Sequence, residues 1–112
     1  MPRGTHSMNP EKAAKFREKA EKFFDKQEYE RALDAITKSL EFHPDNPRSW
    51  QLQGLIQEEL NYWKEAIQSF KQCLKLNADL ELPYVAIFRI LKSKKNLFKA
   101  FEILTILATR NP

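Results

Sequence analysis

The chain has 112 residues, of which 42% are hydrophobic and 30% are charged, and its formal net charge is +4. This length suits a single domain, and the composition is typical of a globular protein. One cysteine excludes an internal disulfide and a cysteine-based zinc site. No apolar run approaches the roughly 18 residues that suggest a membrane span, and no signal-peptide pattern starts the chain. We therefore expect a cytoplasmic location.

Residues 1–8 have the character of an expression-tag remnant, with Met8 as the natural start. We expect one domain over residues 9–112. The first predicted helix, α1, begins at Asn9-Pro10, because Asn can cap free amides and Pro suits the first helical position. It ends at about Asp25.

The second helix, α2, is predicted over residues 29–42, where apolar residues recur at i, i+3 and i+4. Asn46-Pro47 repeats the start signal for α3, which ends near Leu60. Helix α4 follows over residues 63–76. Asn61, in the turn between them, tolerates a left-handed conformation.

The third pair of helices has a different start signal. Asp79 is the expected cap of α5, with Pro83 in the first turn and an end near Ser93. Helix α6 is predicted over residues 97–110. We expect Asn96 to supply the left-handed residue of the turn between these helices.

The sequence repeats itself with a period of 34 residues, so that each helix pair forms one unit, over about 13–46, 47–80 and 81–112. Residues that lie 34 positions apart occupy equivalent places in the repeats, and we call each such set a column. The columns that show the period best are Phe16, Trp50 and Tyr84; Ala32, Ala66 and Ala100; Ile36, Phe70 and Leu104; and Pro44, Ala78 and Pro112. Such units bury their apolar faces by stacking on one another.

The middle unit carries Trp50, Gly54, Ala66 and Phe70 at the places of a known signature, W-x2-L-G-x2-Y followed by A-x3-F. The chain thus resembles the tetratricopeptide repeat (TPR) family. The resemblance implies an all-α fold, a right-handed superhelix of three antiparallel helix pairs. It also implies that α1, α3 and α5 line the concave face, and that α2, α4 and α6 form the convex one.

Some positions depart from the signature. Lys19 and Gln53 replace its Leu, and Gln57 replaces its Tyr. Phe88 stands in the column of the small residues Ala20 and Gly54, which allow two helices to approach closely. We expect Phe88 to widen the third pair.

Catalysis is not expected from this sequence. Cys73, Ser49 and Ser69 have no evident base beside them, and the chain has no glycine-rich phosphate loop. His43 stands at a helix end, where it can interact with the last carbonyls. We predict no enzyme activity, no cofactor and no metal site.

The resemblance implies that the chain acts as a scaffold or adaptor, and that a protein or peptide partner binds in its concave groove. The groove residues predicted on this basis are Arg17, Glu21, Phe24, Arg48, Gln51, Leu55, Glu58, Val85, Arg89 and Lys92. The groove would be acidic in the middle and basic toward the third repeat. This mixture suits an amphipathic helix or an extended peptide.

Many TPR domains of co-chaperones grip the C-terminal carboxylate of a chaperone through Lys, Asn and Arg. The resemblance places Arg17, Glu21, Leu52, Leu82 and Ala86 at those positions. Glu21 would repel a carboxylate, and the apolar residues donate no hydrogen bond. Binding of a chaperone tail is therefore not expected.

Six basic and two acidic residues give residues 81–112 a net charge of +4. The basic cluster comprises Arg89, Lys92, Lys94, Lys95 and Lys99. Because proteins that read nucleic acid usually carry a stronger basic stripe, we expect no nucleic-acid partner.

Helix α6 is apolar around much of its circumference, whereas repeat arrays normally end on a polar outer face. Self-association is the main alternative function, through Phe98, Phe101, Ile103 and Ile106. The same pattern would suit a partner that docks on α6, or a fragment of a longer array. A role as a secretion or pilus-assembly chaperone is a weaker alternative.

Overall fold

The computed structural model describes residues 8–110, and within this range it contains six helices and no strand. The helices are α1 (Pro10–Asp25), α2 (Tyr29–Phe42), α3 (Pro47–Glu59), α4 (Trp63–Leu76), α5 (Leu82–Ser93) and α6 (Leu97–Arg110). The predicted bounds are confirmed apart from the start of α5, and α3 ends one residue before Leu60. The predicted tag remnant lies outside the described residues except for Met8, and so does Pro112.

Two asparagines cap helices as the sequence predicts. Asn9 accepts a hydrogen bond through Oδ1 from the backbone N–H of Lys12 at 3.0 Å, and Asn46 accepts one from the N–H of Arg48 at 2.9 Å. Each is followed by a proline at the first helical position, where a missing N–H costs nothing.

The predicted cap of α5 is wrong. The N-cap is Glu81, whose side chain makes no capping hydrogen bond, and Pro83 does lie in the first turn. Asp79 instead donates its backbone N–H to Oδ1 of Asn77 at 3.1 Å. The Asn77 side chain thus shapes the turn before the helix. Helix α5 starts later than it would with Asp79 as its N-cap.

The turn inside each helix pair contains one non-glycine residue with positive φ: Gln27 at 64°, Asn61 at 66° and Lys95 at 62°. The prediction for Asn61 is confirmed. The prediction for Asn96 is wrong, because Lys95 takes the left-handed conformation. These three residues are 34 apart, so the turn repeats together with the helices.

The first helices of the three repeats (α1, α3 and α5) lie closer to one another than the second helices (α2, α4 and α6) do. Helix α3 contacts both α1 and α5, whereas in the described chain α4 makes no backbone contact with α2 or α6. The stack therefore curves, with α1, α3 and α5 on the inner side. The extents of the fold, 42 × 28 × 24 Å, are those of an elongated molecule.

The apolar core consists of two clusters: the first joins α1 and α2 to α3, and the second joins α4 to α5 and α6. The first cluster contains Ala20, Ala32 and Ile36, with Ile56 of α3 inserted between them. The second contains Ala66, Ile67, Phe70, Ala86, Ile87, Ile90, Leu91 and Ala100. Each unit thus buries its apolar face against its neighbour, as the 34-residue period predicts.

Gly54 allows α3 and α4 to approach closely. A Cβ atom at this position would lie 2.7 Å from Cζ of Phe70, a side chain with no exposed surface. In the third pair Phe88 takes the column of Gly54, and α5 and α6 are packed less extensively than the first two pairs.

A polar triad explains two departures from the repeat signature. Ser69 of α4 is almost fully buried, and its Oγ accepts a hydrogen bond from Nε2 of Gln53 at 3.1 Å. The same hydroxyl donates to Oε1 of Gln57 at 2.6 Å. Gln53 and Gln57 replace apolar signature residues because they satisfy a buried hydroxyl.

The aromatic column ties each repeat to the one before it. The indole N–H of Trp50 donates to the carbonyl oxygen of Pro44 at 2.7 Å. One repeat later, the hydroxyl of Tyr84 donates to the carbonyl oxygen of Ala78 at 3.4 Å. The turns between repeats are therefore held by equivalent side chains.

Candidate partner-binding groove

The face formed by α1, α3 and α5 is the inner side of the curved stack, and we call it the groove. Of the residues predicted to line it, Glu21, Arg48, Val85, Arg89 and Lys92 are exposed on these helices. Arg17, Phe24, Gln51, Leu55 and Glu58 are partly buried. All ten predicted groove residues thus keep some surface on these three helices.

Two of these residues are bound to each other. Arg89 of α5 donates from Nε to Oε2 of Glu58 at 2.7 Å, and from Nη2 to Oε1 at 2.8 Å. This bidentate ion pair joins α3 to α5 and neutralises both charges. Sequence reasoning placed both residues in the groove but did not pair them, because they are 31 positions apart.

The exposed apolar surface of the groove comes from α5. Leu82 is 41% exposed and Val85 is 46% exposed, one helical turn apart. The other two apolar groove residues serve the fold as well. Phe24 packs edge to face with Tyr29, with ring centroids 5.6 Å apart, and Leu55 packs against the second core cluster.

Two of the five positions compared with co-chaperones belong to the core. Ala86 has no exposed surface, and Leu52 packs against the first core cluster. Neither side chain carries a hydrogen-bond donor. The groove therefore lacks a set of donors at these positions for a terminal carboxylate.

The nucleophile candidates serve packing. Cys73 has no exposed surface, and burial raises the pKa of its thiol to about 11, so the reactive thiolate is scarce at neutral pH. Ser49 and Ser69 are buried as well. Among residues 8–110 no three His, Cys, Asp or Glu side chains are grouped so that they could hold a metal ion. In the same range no helix combines the length and apolar character needed to cross a membrane.

Two residues of the basic cluster make contacts with different parts of the chain. Arg89 is engaged with Glu58 in the groove. Lys94 approaches Oδ1 of Asn61 at 3.4 Å, and its ammonium lies 5.8 Å from the ring centroid of Trp63. Part of the positive charge of the third repeat thus has partners within the chain.

Among the side chains of α6 that the structure describes, four large apolar ones are exposed, and we call them the α6 surface: Phe98 (75% exposed), Phe101 (67%), Leu104 (46%) and Ile106 (42%). Ile103, predicted as part of this surface, is half-buried against the second core cluster instead. The set of residues predicted for self-association does not include Leu104, although it is one of the apolar residues of this helix. The 34-residue period could have identified Leu104, because the equivalent residues Ile36 and Phe70 are covered by the following repeat.

The comparisons with known proteins agree with this geometry. The tetratricopeptide repeat profile matches residues 47–80, which contain α3 and α4. Comparison with proteins of curated function found no match.

Solved structures share the fold at low sequence identity. The TPR2AB domain of yeast Sti1, in its pHSP90 complex, superposes with a TM-score of 0.84 and 22% identity over 88% of this chain. The first TPR domain of Spaghetti (RPAP3), bound to the HSP90 peptide SRMEEVD, gives a TM-score of 0.81 and 22% identity, covering 86% of this chain and 76% of that one. MamA gives 0.73 and 17% identity, covering 90% and 63%. The chain spans 38% of the Sti1 chain.

The fold defines the class: this is a helical-repeat protein, an all-α solenoid of three helix pairs. The middle repeat matches the profile by sequence, and all six helices follow the TPR fold, so the resemblance read from the 34-residue columns is confirmed.

Proposed function

We propose that this chain is a protein-interaction module without catalytic activity, whose groove binds a peptide or a helix of a partner protein. The observation that carries the proposal is the exposed apolar pair Leu82 and Val85, which lies on the inner side of the stack beside charged residues. A small number of apolar anchors within a polar rim is typical of peptide recognition.

The packing of α5 against α3 supports this function. The ion pair between Arg89 and Glu58 links the two helices beside the exposed apolar pair on α5. A groove formed in advance lowers the entropic cost of binding. The similar domains of Sti1 and RPAP3 were solved with Hsp90 or a peptide of it, which favours the same class of function here.

The proposed ligand has mixed chemistry. An apolar side chain would pack on Leu82 and Val85, and acidic groups would lie near Arg17, Arg48 or Lys92. Arg89 and Glu58 would contribute little to binding, because each already satisfies the other.

The experiment is a selection of binding peptides from a random library, followed by titration of the best sequence. The groove variant is Leu82→Asp/Val85→Asp, and the matched control is Phe101→Asp, which places the same charge on an exposed apolar residue of α6. We expect the groove variant to weaken binding by about tenfold or more and the control to leave it unchanged. Equal binding by the wild type and the groove variant would contradict the proposal.

A further inference from the structure

The α6 surface contains positions that the rest of the molecule covers. Phe101 shares its column with Leu33 and Ile67, and Leu104 shares its column with Ile36 and Phe70. Ile36 and Phe70 have no exposed surface and Ile67 is 9% exposed, whereas Phe101 and Leu104 are 67% and 46% exposed. Phe101 and Leu104 thus occupy places that are buried in the second repeat, and that are buried at Ile36 and partly buried at Leu33 in the first.

The covering element in those repeats is a helix with a definite pattern. Helix α3 covers α2 with Leu52 and Ile56, and α5 covers α4 with Ala86 and Ile90. In both cases two apolar residues four positions apart meet the column residues of the preceding helix. Within residues 8–110 no helix covers α6 in this way.

The charges beside the α6 surface define the partner further. Arg89 of α5, three residues after Ala86, meets Glu58 of α3. One repeat later the column of Glu58 is occupied by Lys92, which is exposed. If a helix covered α6 in the same register, its residue equivalent to Arg89 would face the positive charge of Lys92. An acidic side chain is therefore favoured at that position.

We propose that the α6 surface is a docking site for an amphipathic helix of a partner protein. This helix carries apolar residues at i and i+4, which pack on Phe101 and Leu104, and an acidic residue at i+3, which pairs with Lys92. It lies on α6 as α5 lies on α4. This site adjoins the groove at Lys92, but its apolar contacts lie on α6, and it does not depend on the function proposed for the groove.

A second copy of this chain is the less suitable occupant. In repeat register its α1 would cover α6, and the column of Leu52 and Ile56 on α1 contains Glu18 and Lys22. Both are exposed, and burying two charges against apolar side chains is costly. Pairing α6 with α6 would bring together two segments that each carry a net charge of +4 over residues 81–112.

The test uses the full chain and a labelled synthetic peptide with the sequence of residues 81–94, which already contains the covering pattern of Ala86 and Ile90. One peptide carries Arg89→Glu, and the matched peptide is unchanged. In fluorescence anisotropy titrations, we expect the Glu peptide to bind at least about threefold more tightly than the unchanged one. The protein variant Lys92→Glu should reverse this preference.

Two substitutions on the α6 surface locate the site. Leu104→Asp and Phe101→Asp should each weaken binding of the Glu peptide by about tenfold or more, with the helical circular dichroism retained. Because Phe101 is the more exposed of the two, its variant remains informative if Leu104→Asp fails to fold. The groove variant Leu82→Asp/Val85→Asp should bind this peptide like the wild type.

Three results would overturn the proposal: no binding of either peptide, equal binding by the α6 variants, or the same peptide preference with Lys92→Glu. Sedimentation of the wild-type chain as a dimer that Phe101→Asp converts to a monomer would also overturn it, because the occupant would then be a second copy.

Discussion

Gln27, Asn61 and Lys95 occupy the left-handed region, where a residue other than glycine is strained. In the first of these turns the N–H of Gln27 donates to the carbonyl oxygen of Phe24 at 2.9 Å, and that of Glu28 donates to Phe23 at 2.8 Å. The same two bonds recur around Asn61 and Lys95. These turns are Schellman motifs, which usually place glycine at the strained position.

This strain predicts that Gln27→Gly stabilises the protein. Relief of the left-handed penalty, roughly 1–2 kcal/mol, exceeds the entropic cost of glycine, roughly 0.5–1 kcal/mol. We expect urea denaturation to show a gain of about 0.5–1 kcal/mol in the free energy of unfolding. The matched control is Lys26→Gly at the preceding exposed residue, whose φ is −85°. It should lose stability, and a gain at both positions would contradict the interpretation.

Glycine is required at position 54 for a different reason. Its backbone conformation suits any residue, but the ring of Phe70 leaves no space for a side chain. In Gly54→Ala the new methyl group meets the buried ring of Phe70. Overpacking of this kind costs about 1–3 kcal/mol, and the better helix propensity of alanine returns about 1 kcal/mol. We expect a net loss of up to about 2 kcal/mol in urea denaturation. A net gain would show that α3 and α4 do not approach closely here.

At the scale of elements, the triad of Gln53, Gln57 and Ser69 couples α3 to α4. Ser69→Ala should destabilise the protein by about 1–2 kcal/mol, because two hydrogen bonds are lost and two amide groups lose a partner. In the double variant Gln57→Leu/Ser69→Ala the loss should be smaller than the sum of the single losses. A double-mutant cycle measures this coupling, expected at about 0.5–1.5 kcal/mol. Strict additivity would exclude the triad.

The helices themselves could be predicted because their signals are local. Prolines mark the starts of α1 and α3, and apolar spacing marks the lengths. The two local errors have different causes. The residue type favours Asn96 because asparagine tolerates positive φ, whereas the column of Asn61 leads to Lys95. The residue type also favours Asp79 as a cap, but the side chain of Asn77 shapes that turn.

At the scale of the whole molecule, the groove could be predicted only as a set of positions. Which of these positions are engaged depends on how α3 and α5 are rotated against each other, and the repeat pattern does not specify this. The pairing of Glu58 with Arg89 and the partial burial of Leu55 follow from that rotation. The exposure of Leu104 depends on what covers α6, which the sequence of a single repeat does not contain.

The groove chemistry also predicts what this chain does not bind. The peptide SRMEEVD, with which the similar domain of RPAP3 was solved, should show no affinity in the micromolar range in a fluorescence titration. Of the five positions compared with co-chaperones, Arg17 alone carries a cationic group, and Glu21 is acidic. Micromolar binding that is lost in Arg17→Ala would show that the groove grips a carboxylate after all.

The most direct test of the groove as the binding site is a map of backbone amide chemical shifts, recorded while the best library-selected peptide is added. The account predicts that the largest shifts lie on α1, α3 and α5, centred on Leu82 and Val85, and that those of α2 and α4 change little. Shifts confined to α6, or to the outer helices α2 and α4, would contradict it.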